Sequence, residues 1–163
     1  QVTEQILAWM NTLAKTDETE LHCCSVLTPY LQGYFPEAFL QQAAFKVVDR
    51  LPMPPLTGLQ GLLAQQFMPK NLRSIAYAHG YYVLREYADD WSLHCRELVH
   101  LAQGQHLGPT LFLTQLSQQI KSQGYQQASL VKMADAVVEH FKQGSELDNI
   151  PALVVQSLQA VEG

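Results

Sequence analysis

The sequence predicts an α+β fold: a mostly helical single domain with a small antiparallel sheet, or hairpin, in its middle. The chain has 163 residues, the usual size of one domain, and 47% of them are hydrophobic, enough to form a core without disulfide bonds. Apolar residues recur at helical spacing over most of the chain. Residues rich in β-branched and aromatic side chains are confined to the middle, between positions 45 and 85.

The N-terminal part, residues 1–44, is predicted to be helical. Residues 2–15 place their apolar side chains on one helical face. A second helix is predicted over about 19–33, where Pro29 would end or kink it. A third, short helix begins at the Phe35-Pro36-Glu37 sequence and runs through Gln42, because proline is well tolerated in a first helical turn.

The middle of the chain combines strands with one short helix. Residues 45–51 alternate as a strand does, and the prolines that follow end it. Residues 74–78 and 81–85 form a predicted hairpin around His79-Gly80. Between these elements, residues 57–67 are predicted to be helical, with four large apolar side chains on one side: Leu59, Leu62, Leu63 and Phe67.

Four further helices are predicted in the second half of the chain. The first covers residues 90–103, with Asp89-Asp90 as its N-terminal cap. The others cover 110–123, 128–142 and the C-terminal segment 148–163. Residues 45–143 then form the centre of the single domain, flanked by the N-terminal helices and the C-terminal helix.

Composition narrows the function classes. The net charge is −5, so the basic surface of a general nucleic-acid binder is not expected. No run of 18 apolar residues is present, and neither a membrane nor a nucleic-acid partner is expected. Three cysteines do not form a disulfide framework, and with no visible signal peptide a cytoplasmic location is expected. Cys95, beside His94, is expected to be a structural core cysteine rather than a nucleophile.

One local motif resembles a known family. Glu97-Leu98-Val99-His100 is followed by Leu101-Ala102-Gln103, a leucine-glycine turn and a helix that ends at Gly124-Tyr125. This order resembles the active-site helix of zincin-type metallopeptidases, which carry His-Glu-x-x-His. It is more similar to small, uncharacterised bacterial proteins with an "ELVHVxQ" core, in which a proline-rich segment and a hairpin precede the helix. The resemblance covers roughly residues 45–140.

The resemblance implies a zincin-like fold and a particular chemistry. Two histidines at i and i+4 bind one Zn²⁺, and the glutamate after the first histidine is the base for the metal-bound water. A third ligand comes from a later helix, and a strand beside the active-site helix pairs with an extended peptide. By this resemblance Glu97 takes the catalytic position and His100 takes a metal-ligand position.

The sequence departs from the family pattern where zinc would bind. Arg96 occupies the position of the first histidine, and a guanidinium does not ligate zinc but could pair with Glu97. In the later helix, Asp135, Glu139 and His140 offer ligand atoms in place of the family's glutamate. The candidate metal set is therefore His100, Asp135 and Glu139.

Aromatic residues cluster around the predicted hairpin. Tyr77, Tyr81 and Tyr82, together with Arg96, are candidates for a groove that binds a peptide or another ligand. Ordinary packing of strand aromatics is the alternative interpretation.

Three functional hypotheses follow. The first is a zincin-like module that has lost catalysis, needs no cofactor and binds a protein or peptide, with a homodimer left open. The second is a metal-dependent hydrolase or peptidase with non-standard ligands, in which zinc is the cofactor. The third is an unrelated helical interaction protein, which predicts no pocket near His100.

Overall fold

The computed structural model describes residues 2–31 and 33–162, which contain eight α-helices and four short strands. Three single turns of 3₁₀-helix, at Cys24–Leu27, Arg85–Tyr87 and Tyr125–Gln127, connect some of these elements. In chain order the elements are α1 Val2–Asp17, β1 His22–Cys23, α2 Thr28–Leu31, α3 Glu37–Gln42, β2 Ala44–Val48, α4 Gly58–Gln65, β3 Ser74–Tyr77, β4 Gly80–Leu84, α5 Trp91–Leu107, α6 Pro109–Gln123, α7 Ser129–Lys142 and α8 Ile150–Glu162. The α+β fold class is confirmed.

The four strands form one sheet in the order β1-β2-β4-β3. The predicted hairpin is present, since β3 and β4 pair antiparallel with Tyr77 opposite Gly80. The small sheet, expected to be antiparallel, is mixed, because β2 and β4 are parallel, with Phe45 opposite Tyr81. The connection after β2 explains this direction. It returns the chain through α4 to the end of the sheet where β2 finished, since Val47 and Ser74 both lie opposite Val83. Strand β3 then runs back along the sheet, and β4 therefore runs parallel to β2.

The predicted helix over 19–33 is also wrong. The chain instead forms β1, a 3₁₀ turn and the four-residue helix α2. β1 pairs with β2, and the amide of Cys24 donates to the carbonyl of Ala43 at 2.9 Å. Pairing with a distant strand therefore overrides the local helical pattern here.

Helix α5 lies at the centre of the fold. Asp90 caps its N-terminus, accepting from the amides of Ser92 and Leu93 at 3.1 and 3.4 Å, so the predicted cap is confirmed for this aspartate. The helix packs against β3 and β4 on one side and against α6, α7 and α8 on others. Its apolar residues belong to a core cluster that extends from Cys24 to Leu158, so segments from both ends of the chain cover α5.

Candidate functional site

The site lies where the edge strand β3 meets α5. The hydroxyl of Ser74 donates to Glu97 Oε2 at 2.6 Å, and both residues are buried, with exposed fractions of 6% and 4%. Successive strand residues face opposite sides of a sheet, so Ser74 and Ala76 share the side that faces α5. Ser74, the first residue of β3, therefore links the Glu-x-x-His segment of α5 to the sheet by a hydrogen bond.

Burial controls the charge state of Glu97. Removal from water raises the pKa of this carboxyl, and the nearby His100, the Ser74 hydrogen bond and Arg96 only partly oppose that rise. Tyr125 lies close enough for the Glu97 charge to add to the burial effect that raises the tyrosine pKa. Glu97 is thus a carboxyl whose neutral form is favoured by its surroundings.

A second buried contact fixes the tautomer of His100. The side-chain nitrogen of Gln103 donates to the carbonyl of Leu130 at 3.0 Å, so its oxygen faces His100 Nδ1 at 2.8 Å. That oxygen only accepts, so Nδ1 carries the proton and Nε2 of the neutral ring keeps its lone pair. His100 also lines the cavity described next, and its Nε2 is the ring nitrogen that Gln103 leaves open.

A cavity of about 190 Å³ lies between β3, α5 and α6. Apolar side chains form most of its wall, among them Leu101, Phe112, Leu116, Ile120 and Val131. The polar residues that line it include Ser74, Glu97, His100, Ser117 and Tyr125. A mostly apolar cavity with a few convergent polar groups is the usual form of a ligand-binding site.

Strand β3 is the outer strand of the sheet, and Ser74 and Ala76 both line this cavity. Arg73 O accepts from the amide of Leu84 at 3.0 Å, which makes this pair hydrogen-bonded. Antiparallel pairs alternate, so Ile75 also bonds to β4, whereas the amides and carbonyls of Ser74 and Ala76 point away from it. Within residues 2–31 and 33–162 these outward groups have no hydrogen-bond partner. Unpaired groups on an outer strand are the groups to which an added extended chain bonds in β-strand addition.

The structure does not bring the candidate metal ligands together. Arg96 donates to Asp135 on α7 rather than pairing with Glu97, and neither residue of this ion pair lines the cavity. Glu139 is exposed on α7. Among the described residues no group of three His, Cys, Asp or Glu side chains is placed to hold a metal ion. His100 and Glu97 are adjacent, but Asp135 and Glu139 are not part of their site.

The candidate groove tyrosines also separate. Tyr77 lines the cavity, and its hydroxyl donates to the carbonyl of Pro52 at 2.6 Å. Tyr81 and Tyr82 are fully buried elsewhere, on opposite faces of β4. The Tyr81 hydroxyl lies 2.6 Å from His94 Nδ1, and the Tyr82 hydroxyl donates to Asp17 Oδ2 at 2.7 Å. The predicted groove therefore retains Tyr77 and loses Tyr81, Tyr82 and Arg96 to the interior and to an ion pair.

Cys95 takes the structural role expected of it. Its side chain is fully buried, and burial raises the pKa of the thiol to about 12. A thiol with that pKa stays protonated at neutral pH and is a poor nucleophile.

Three residues of the site were not assigned a role from the sequence. The sequence analysis treated Ser74 as an ordinary strand residue. The available signal was its position at the start of the strand that precedes the motif. Gln103 and Tyr125 belonged to the motif itself, since they are the last residue of the "ELVHVxQ" core and the tyrosine of the Gly-Tyr pair. Their place in the motif marked them as candidates for the site. Which residues they contact could be known only from the folded structure.

No protein-family model, curated protein or solved structure matches the chain. In the described part of the chain, no helix is long and apolar enough to cross a bilayer. What the site can do is therefore argued from its own geometry.

Proposed function

We propose that the chain is a non-catalytic binding module with a zincin-like pairing of strand and helix, and that it binds an extended apolar segment of a protein or peptide. The bound segment adds to the outer edge of β3 and places one apolar side chain in the cavity. The observation that carries the proposal is the unpaired edge of Ser74 and Ala76, which runs along a cavity that also contains Glu97 and His100.

The size of the cavity suits one large side chain. An apolar cavity of roughly 150 Å³ holds a benzene molecule, so about 190 Å³ accommodates a leucine or phenylalanine side chain. The alternate residues of an edge-bound strand point into such pockets, and backbone pairing supplies the rest of the affinity. A cavity beside His100 also argues against the hypothesis that the motif is a coincidence in an unrelated helical protein.

The polar groups act as hydrogen-bonding partners in this proposal. Burial raises the pKa of Glu97 and so favours the form that can donate a proton, and the lone pair of His100 Nε2 accepts from an N–H or O–H of the bound segment. Arg96 is engaged by Asp135, so the position of the family's first histidine contributes nothing to the cavity.

A metal-dependent hydrolase is the second candidate function. It is favoured by one observation, the open Nε2 of His100 beside the carboxyl of Glu97, which are the groups that a metal site of this type uses. Among residues 2–31 and 33–162, this pair is what lines the cavity with metal-binding groups of that type, whereas a catalytic zinc site uses three protein ligands.

Peptide binding can be tested by nuclear magnetic resonance with two ¹⁵N-labelled variants at position 76. Ala76→Pro removes the outward amide, and proline is tolerated where an edge-strand amide faces away from the sheet. Ala76→Ser keeps that amide and is the matched control. The probes are acetylated and amidated pentapeptides that carry leucine or aspartate at the centre, and binding is followed by shifts of backbone amide resonances.

We expect the leucine peptide to shift the Ser74 and Ala76 amides of the unaltered chain and of Ala76→Ser. The aspartate peptide and Ala76→Pro should weaken binding on the order of tenfold, through a lost apolar contact or hydrogen bond. No shift along β3 would contradict the proposal. Cleavage of these peptides after Zn²⁺ is added, detected by mass spectrometry, would instead favour the hydrolase.

A further inference from the structure

Helix α4 presents its apolar side to solvent. Leu59 and Leu62 are 75% and 59% exposed, and Leu63 and the following Phe67 are also exposed. These are the four residues that the sequence places on one helical side. Such a helix normally buries that side against the core, so α4 is inverted relative to the usual arrangement.

Contacts beneath the helix explain this inversion. Gly61 is buried against Leu56, and a Cβ atom built on Gly61 would lie 2.8 Å from the Leu56 carbonyl carbon. Only a residue without a side chain fits this contact, and Gly61 is the buried residue of α4. With 100° between successive residues, Leu59 and Leu63 then point to nearly the opposite side.

The chain segment that contains α4 carries only positive charges. Residues 50–73 include three basic residues, Arg50, Lys70 and Arg73, and no acidic residue, although the whole chain carries a net charge of −5. All three basic residues are exposed. An apolar face with only cations in its flanking segments complements a surface that is apolar inside and anionic outside.

We propose that α4 docks on the surface of an anionic lipid bilayer, inserting Leu59, Leu62, Leu63 and Phe67 between the lipid headgroups. The basic residues then lie at headgroup level, where each contributes attraction to anionic lipid. In this proposal α4 lies on the membrane surface and does not span the bilayer. Surface binding of this kind does not require a long apolar segment. It also goes beyond the proposed peptide binding.

A second copy of the chain fits this face less well than lipid does. A symmetric contact through α4 would bring the same basic residues of both copies together, and like charges oppose each other at an interface. Leu63 and Phe67 border a groove shared with α1 and α6, whereas Leu59 and Leu62 lie outside that groove and can enter a deformable headgroup layer. The segment also continues into the binding cavity, since Pro54, Met68 and Leu72 line it.

Vesicle co-sedimentation of the full chain tests the proposal. The vesicles contain equal amounts of phosphatidylcholine and phosphatidylglycerol, or phosphatidylcholine alone. The variant Leu59→Glu with Leu62→Glu adds two charges to the α4 face. Its control, Val26→Glu with Leu111→Glu, adds the same charge at exposed apolar residues elsewhere, and Val26 is 59% exposed, as Leu62 is.

We expect preferential binding to the anionic vesicles, and a loss on the order of tenfold or more in the α4 variant but not in its control. A second variant, Arg50→Gln with Lys70→Gln, changes only exposed side chains and should weaken binding by about tenfold. Circular dichroism verifies that each variant is folded.

Two results would overturn the proposal. One is equal or absent binding to both kinds of vesicle by the folded, unaltered chain. The other is self-association that the α4 variant abolishes while lipid binding is absent, which would make a second copy the occupant. The pentapeptide titration repeated on the α4 variant separates the two proposals, because it should still shift the β3 amides whether or not lipid binds.

Discussion

Replacing Ser74 with alanine should destabilise the fold through a single buried carboxyl. The hydroxyl donates to Glu97 Oε2 at 2.6 Å, and it is the hydrogen-bond donor that the structure places on this carboxyl. A buried acceptor deprived of its partner costs about 1–3 kcal/mol. Taking about 2 kcal/mol, and about 2–4 °C per kcal/mol for a domain of this size, the midpoint of thermal unfolding should fall by about 4–8 °C.

The loss should depend on pH. Burial raises the pKa of Glu97 above its unfolded value, so the stability contributed by its proton is fully present below the unfolded pKa. That contribution is lost as the pH rises through the folded pKa. The Ser74 hydrogen bond lowers the pKa and so supports the ionised form. Its removal should therefore cost more stability at pH 8 than at pH 5.

Thermal unfolding followed by far-ultraviolet circular dichroism at the two pH values measures both effects. Ser122→Ala is the control, because Ser122 is exposed and its hydroxyl bonds only to the carbonyl of Gln119 one helical turn earlier. If Ser74→Ala lowers the midpoint no more than Ser122→Ala does, the contact contributes nothing measurable. An equal loss at pH 5 and pH 8 would refute the assignment of the hydrogen bond to the ionised carboxyl.

Two further predictions concern the same site. Glu97→Gln replaces the carboxyl with an uncharged isostere, so its free energy of unfolding should exceed that of the unaltered chain at pH 8, and the difference should shrink as the pH falls toward 5. Denaturant titrations across this range measure it, and a variant less stable at every pH would contradict the burial argument. Gln103→Leu removes the acceptor of His100 Nδ1–H, so the Nδ1–H tautomer should become less populated. Imidazole ¹⁵N shifts report the tautomer, and an Nε2–H ring in the unaltered chain would show that Gln103 does not set it.

Local pattern predicted the elements whose partners are close in sequence. The α5 segment carried its cap at Asp90 and an apolar stripe of its own. The hairpin was predicted around His79-Gly80, one residue beyond the Ala78-His79 turn that the structure has. The parallel pairing of β2 with β4 was not predictable in this way. It depends on the path of the 25-residue connection between β2 and β3. The residue pattern of β2 and β4 does not indicate whether the two strands run parallel or antiparallel.

In the candidate site, too, some residues were predictable from the local sequence and others were not. Glu97 and His100 were identified by the resemblance of their segment to the zincin-type motif, which is contained in one short stretch of sequence. The role of Asp135 was not predictable, since its residue type suits a metal ligand and an ion-pair partner equally. In the structure Asp135 is an ion-pair partner, because Arg96 on α5 lies against α7 and donates to its carboxylate.

The sequence by itself predicted most of the helices, the hairpin and the class of fold. These follow from spacing and residue type, which act over a few residues. Only the tertiary structure decided that Ser74 supports Glu97, that Gln103 sets the tautomer of His100 and that the apolar side of α4 faces outward. Each of these depends on which surfaces meet: a hydroxyl on an edge strand, an amide between two helices, and a glycine that fits against Leu56 where any side chain would collide.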